Sequence, residues 1–412
     1  MTTKTPRIYI ILTLITSIYV GPAPPAYRQA GEQAIRWCVR GTHPTIFCFE
    51  TIDLEDHISM DIKRDYYEDI ELFKSGTILF WSILFLIFLA ILPWLVTKYH
   101  LLGLSIYIVN LITIHAIVAI GLNILVGYTG QISMGHAGFF AIGAFTTVFL
   151  KLKGGLPFPV ALPIAGFISS AFGFILGLPA LRLKGPYLTI ATLGFGMTIT
   201  TIIKHMEFFG GRMGLQAPKL YFFGTPMKDI HFYYMIMAIA VLMVIGAVKL
   251  IKTRVGRAFI AIRDSDIAAE AMGVNLTYYK TLSFAVSAFY TGIAGGLYAF
   301  ILGFINPESF HLIMSITFLA MVVVGGLGSI MGSIAGAALM TYLDIKLQAI
   351  QDIPAIGPVL VTFSQKYMSA GGISNIAVIV YGLIMILIVL FEPLGIFGFW
   401  IRTKKYWKTW PF

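Results

Sequence analysis

The chain has 412 residues, of which 58% are hydrophobic and only 12% charged, about half the charge of a soluble domain. Its mean hydropathy of +0.85 and recurring runs of roughly 18 or more apolar residues describe an all-α polytopic membrane protein, and the continuity of those runs argues against a β-barrel, whose strands alternate. The net charge of +10 fits Lys and Arg holding loops at an anionic inner leaflet, so lipid and not nucleic acid is the expected counterpart.

In chain order, residues 8–20, "IYIILTLITSIYV", follow Lys4 and Arg7. They make 1–26 an N-terminal hydrophobic segment, an uncleaved anchor or an extra span. Residues 27–76 are polar and acidic and form an extramembrane insert. The insert holds both cysteines, Cys38 and Cys48. They fit neither a zinc site nor a CxxC motif, and they can pair only in an oxidising compartment. Residues 77–400 are a membrane domain of roughly ten transmembrane helices. Its spans lie near 77–97, 104–126, 132–150, 158–180, 186–203, 233–251, 280–303, 312–324, 329–345 and 374–398. Residues 401–412 are a basic tail.

The joint between the spans ending near Lys249 and beginning near Lys280 also holds Lys252, Arg254, Arg257 and Arg263. It is the most basic joint, and so is expected in the cytoplasm with the tail. The insert is harder to orient. Counting spans back from this joint puts 27–76 in the cytoplasm, whereas Lys4, Arg7 and the insert's acids incline the expectation to the periplasm.

"VGYTGQISMGHAG" (126–138) is echoed by "VGGLGSIMGSIAG" (324–336). Each follows an apolar run, breaks at several glycines and resumes as a helix of small residues. Helices broken in this repeated way are common in transporters, although glycine-rich chains produce some echoes by chance. Gly127, Gly130, Gln131, Ser133, Gly135 and His136 in the first break, with Gly325, Gly326 and Gly328 in the second, are therefore candidates to line or brace a path. The plainer reading is that Gln131, Ser133 and His136 satisfy freed backbone groups. His136 has no second ligand nearby, so no metal site is expected. Asn123 is read as bonding across helices. No acid lies deep within a span, which is poor material for a proton relay.

The basic joint contains a short polar helix. Asp264, Ser265 or Asp266 can cap it, and Gly273 can end it in the left-handed conformation. Ile267, Ala268, Ala271 and Met272 fall on one face and Glu270 on another. Such a face must bury against lipid headgroups, its own protein or a partner. Its small residues favour a partner, because an interfacial helix usually carries bulkier Leu, Phe or Trp. No Walker A, HExxH or GxSxG motif occurs, so the chain is not expected to be an ATPase or another enzyme.

"GRAFIAIRDSDIAAEAMGVNLTYYKTLSFAVSAFYTGIAGGLYA" (256–299) resembles the permease subunits of branched-chain amino acid ABC importers. So do "GLNILVGYTGQISMGHAGFFAIGAF" (121–145), "LPALRLKGPYLTIATLGFG" (178–196), "GFINPESF" (303–310), "VVVGGLGSIMGSIAGA" (322–337) and "LIVLFEPLGIFG" (387–398). The motifs occur in the family's order and cover roughly residues 100–400. The insert and the "HMEFFGGRMGL" stretch after Lys204 depart from the pattern, which leaves the outer-face contacts open. The resemblance implies a permease domain over 77–400 and a multi-pass protein of the bacterial inner membrane. It also implies a second homologous permease subunit, two cytoplasmic ATPase subunits and a periplasmic substrate-binding protein. ATP would be bound by those ATPases, with no cofactor in this chain. Arg263, Asp264, Ile267, Ala268, Ala269, Glu270, Ala271 and Gly273 would form the coupling helix that docks on an ATPase. Branched-chain amino acids are the first substrate class and urea or short amides the second. A stand-alone channel or secondary carrier remains the alternative of another class, and would need a selectivity ring or a buried titratable pair.

Overall fold

The computed structural model describes residues 37–40, 46–49, 76–99, 105–180, 183, 185–222, 225–227, 229–348, 382–383, 386–387, 390 and 395–408. The expected segment 1–26, most of the insert 27–76, most of the run 374–398 and the end of the tail lie outside the described residues. The chain divides into two units, Met1–Asp69 and Ile70–Phe412. In the first, β1 (Trp37–Arg40) and β2 (Ile46–Phe49) pair antiparallel, with Cys38 opposite Cys48 in the backbone register.

The second unit is helical. It opens with α1 (Gly76–Tyr99) and α2 (Ile106–Asn123), the latter continuing as a π-helix, Ile124–Tyr128. After a glycine-rich break come α3 (His136–Leu152), α4 (Phe158–Ala180), α5 (Pro186–His205) and α6 (Asp229–Lys252). Two short helices follow, α7 (Arg254–Asp264) and α8 (Asp266–Ala271). The chain then returns through α9 (Leu276–Leu302), α10 (Leu312–Gly325) and α11 (Ile330–Gln348), and α12 covers Gly395–Lys408. This is the all-α polytopic membrane fold expected from the apolar runs. Among the described residues, six helices are long and apolar enough to cross a bilayer.

Helix α9 is the axis of the bundle and packs along α2, α3 and α4. Its small residues explain how. A Cβ on Gly143 of α3 would overlap the Gly292 backbone, and one on Gly295 would overlap Phe140 O. A Cβ on Gly173 of α4 would stand 2.5 Å from Ala288 Cβ. Without side chains the backbones approach closely, and dispersion between them replaces the hydrophobic force that lipid cannot supply. Around this axis Ile114, Ile117, Phe139, Phe140, Phe145 and Phe318 are fully buried, while Phe167, Ile190 and Leu242 face outward where lipid would lie.

Helix α3 has 17 residues and α10 has 14, fewer than the roughly 20 of a full span. The reason is local, since each meets a glycine break that lies inside the bundle. His136, the first residue of α3, bonds to Ser287, eleven residues into α9. At 1.5 Å per residue this is roughly 16 Å along that helix. Successive helices reverse direction, so the break after α2, the α7–α8 joint and the turn between α10 and α11 gather at one end of the bundle. Lys249, Lys252, Arg254, Arg257, Arg263 and Lys280 mark it as the basic end. At the other end β3 (Leu215–Gln216) pairs antiparallel with Phe304–Ile305, the strand following α9.

Candidate functional site

At the basic end, α7 and α8 hang between α6 and α9. Helix α7 lays Phe259 and Ile262 into the bundle, at 0% and 3% exposure. Asp264 then leads into Ser265, whose extended backbone and Oγ cap α8 by accepting the Ala268 N–H at 3.3 Å. Of the three candidate caps, it is therefore Ser265 that acts. Gly273 closes the helix at φ +84°, a conformation that a Cβ disfavours.

Helix α8 turns one residue inward, Ala269, at 3% exposure. Ile267 and Ala271 face the opposite way, with Ala268 and Met272 on one flank and Glu270 on the other. Ile267 is 80% exposed and Met272 85%, and Ala268, Glu270 and Ala271 are exposed. The apolar face expected from the sequence is thus present and uncovered by the described residues. Ala269, grouped with the docking residues, is the one residue of this helix that is buried. The helix is clamped from behind by Lys280 of α9, whose Nζ donates to Asp266 Oδ2 at 2.7 Å. Arg263 does not join the exposed face. Its Nε and Nη2 donate to Asp264 Oδ1, at 3.2 and 3.1 Å, and its Nη1 reaches back to Gly127 O at 3.1 Å.

The two glycine breaks meet directly above this point. A Cβ on Gly127 would overlap both Asn123 Oδ1 and the Gly328 nitrogen. Asn123 stitches the breaks together. Its Oδ1 accepts the Gly328 N–H (2.9 Å), and its Nδ2 donates to Ser329 O (2.9 Å) and Ser333 Oγ (2.7 Å). The internal echo therefore packs as two helix–break–helix units, turn against turn, and Asn123 does bond across helices.

Within the first break, Gln131 Nε2 donates to Ser283 Oγ at 3.0 Å, and His136 Nε2 lies 2.7 Å from Ser287 Oγ. Ser133 Oγ accepts the Gly135 N–H at 3.4 Å and lies 3.1 Å from His136 Nδ1. All three are buried. Their bonds run to α9 and to the break itself. Gly135 sits on Thr192 O of α5, with no room for a side chain. In the second break, Gly325 packs on Gly332 O, and Gly326 and Gly328 carry φ of +119° and +76°. Ser283, Ser287 and Lys280 were missed as partners. The i, i+4 spacing of Ser283, Ser287 and Thr291 along one side of a largely apolar helix is the signal that could have found the two serines.

No group of three or more metal-ligating side chains occurs among the described residues. At the opposite end Lys204 Nζ donates to Glu308 Oε1 at 2.6 Å. This hydrogen bond and the lysine charge hold the Glu308 carboxyl below its usual range.

Residues 104–389 match the family model for the branched-chain amino acid transport system permease component. The high-affinity branched-chain amino acid transport system permease protein LivM of Salmonella typhimurium is 36% identical over 262 residues, 57% of this chain and 62% of that protein. LivM of Escherichia coli is 36% identical over 259 residues, 57% of this chain and 61% of that protein. The Pseudomonas aeruginosa permease BraD is 26% identical over 302 residues, 69% of this chain and 91% of that protein. The match to the LivM relatives thus spans about three fifths of their length.

Proposed function

The chain belongs to the family of branched-chain amino acid transport system permease components, and from that premise we propose that it is one of two permease subunits in an ABC importer of the bacterial inner membrane. A homologous permease completes the pore, two cytoplasmic ATPases energise it and a periplasmic binding protein delivers the solute. Branched-chain amino acids are the proposed cargo, because the LivM and BraD relatives carry that name.

The observation that carries this reading is the exposed apolar face of α8 on an anchored stem. Ile267, Ala268, Ala271 and Met272 are uncovered, while Ala269, Phe259 and the Lys280–Asp266 pair hold the helix in place. An ATPase groove that buried this face would gain apolar contact and push on a unit that cannot slip. Nucleotide-driven closure would then bias the permease between inward and outward openings. The test is co-expression with candidate ATPase and binding-protein partners, purification through a tag on this chain, and uptake of labelled leucine and urea in proteoliposomes. Co-purification of the ATPase with ATP-dependent leucine uptake supports the proposal. Uptake without an ATPase would favour a stand-alone carrier.

The insert is assigned to the cytoplasm. A short joint links Tyr99 at the end of α1 to Ser105 at the start of α2. This supports Gly76 lying toward the basic end, and we weigh it above the composition argument for the periplasm. Cys38 and Cys48 then stay reduced although they lie opposite one another in register, because the cytosol keeps thiols reduced. An impermeant thiol reagent should label Cys38 only after spheroplasts are lysed.

A further inference from the structure

We infer that Arg263 is a positioning residue, the strut through which movement of α8 reaches both glycine turns of the pore; the inference rests on the docking role proposed for α8. Arg263 is the penultimate residue of α7, two residues before the Ser265 cap, so a displacement of α8 is passed to it through the chain. Its stem and head then touch the two breaks at once. A Cβ built on Gly130 would lie 3.3 Å from Arg263 Cγ, and one built on Gly328 would lie 3.4 Å from Arg263 Nη1. The same Nη1 donates to Gly127 O at 3.1 Å.

That carbonyl is a fitting handle. It belongs to the last turn of the π-helix, where carbonyls lack a following helical N–H, and a charged donor makes a stronger bond to it than a neutral one. The other edge of the guanidinium is fixed by Asp264 Oδ1. One planar fork thus joins the root of α8 to the pore turn, a task that the single point charge of Lys does not match. Asn123 then ties the first turn to the second, so a pull on Gly127 is felt at Gly328. Gly130 and Gly328, both at positive φ, give these turns a backbone able to change shape.

The test uses the full importer in proteoliposomes, with Leu327→Cys as a reporter in a Cys38→Ser, Cys48→Ser background. Leu327 lies in the second turn and is 53% exposed. The readouts are ATPase co-purification, uptake, and the change in thiol labelling of position 327 when ATP is added. Arg263→Met keeps the stem and removes the fork. It should retain the ATPase while the nucleotide-dependent change in labelling, and uptake with it, fall on the order of tenfold, as expected for loss of one charge-assisted bond. Arg263→Lys should recover part of both, and it decides the matter if the Met variant fails to assemble. Wild-type labelling and uptake in Arg263→Met, or full coupling in Arg263→Lys, would overturn the inference. So would loss of the ATPase from Arg263→Met, which would put the residue on the docking face. Ala271→Arg is run in parallel. If it still binds the ATPase and stimulates it as wild type does, the docking reading has failed; if it sheds or uncouples the ATPase while position 327 never responds to ATP in the wild type, only the strut has failed.

Discussion

Helices α7 and α8 come from one loop, one residue apart, and meet opposite fates. Helix α7 carries charge on its outer side and drives Phe259 and Ile262 into the bundle. Helix α8 buries a single alanine and leaves Ile267 and Met272 almost wholly exposed. A turn that only reversed the chain's direction would not need an apolar face left uncovered by the described residues beside a well-buried one. The contrast separates a stem held by this chain from a face that the described residues leave uncovered, the face proposed above for an ATPase.

The comparison can be broken at several strengths. The largest effect is expected where the stem meets the two glycine breaks. Gly328→Leu introduces a bulky Cβ-bearing side chain at φ +76° beside Arg263, and Gly130→Leu does the same at φ +71°. Both should abolish uptake even where the protein inserts, and normal uptake at normal expression would show these to be ordinary glycines. Next comes the stem itself. Phe259→Ala removes a fully buried ring at a cost of about 3–5 kcal/mol. It should lower the thermal stability of the purified complex, whereas Ile267→Ala on the exposed face should leave the stability of the permease alone unchanged.

A smaller change is expected from Lys280→Ala, which frees α8 from α9 but leaves its face intact. The ATPase should remain bound while transport per ATP hydrolysed declines. Glu270→Ala, at the edge of the face, should be milder still. The smallest effect belongs to the far end. The Glu308 carboxyl is held low by Lys204, so whatever the pair contributes is present above the ordinary carboxylate range and is lost as pH falls through the lowered value. Because Glu308 is exposed, Glu308→Gln should leave stability at neutral pH almost unaltered.

Much of this was legible in the sequence, because the relevant signals are local. The cap options ahead of α8, the Gly273 stop and the small apolar face follow from spacing alone, and the breaks announce themselves by glycine. What was not legible is pairing across the chain. Asn123 and Gly328 are 205 residues apart, and nothing at either position says that the two breaks meet. Arg263 read as part of a polar docking helix because its neighbours do, and only packing shows its head turned back to Gly127. Ala269 looked like its alanine neighbours because the inward side of a six-residue helix is set by what lies behind it. The side of the insert is a related case, in which composition and span counting point opposite ways.

The central claim is that α8 exists to be held by an ATPase. The most direct measurement is ATPase pull-down with substrate-stimulated hydrolysis, using reconstituted permease that carries Ala268→Arg or Ala271→Arg. Both positions are exposed, so the substitutions leave the bundle undisturbed while forcing a charge into any groove that receives them, a cost of several kcal/mol by order of magnitude. The account predicts assembled permease that has lost its ATPase or its stimulated hydrolysis. If both variants bind the ATPase and stimulate it as wild type does, the face is not a docking surface, and α8 lies on lipid instead.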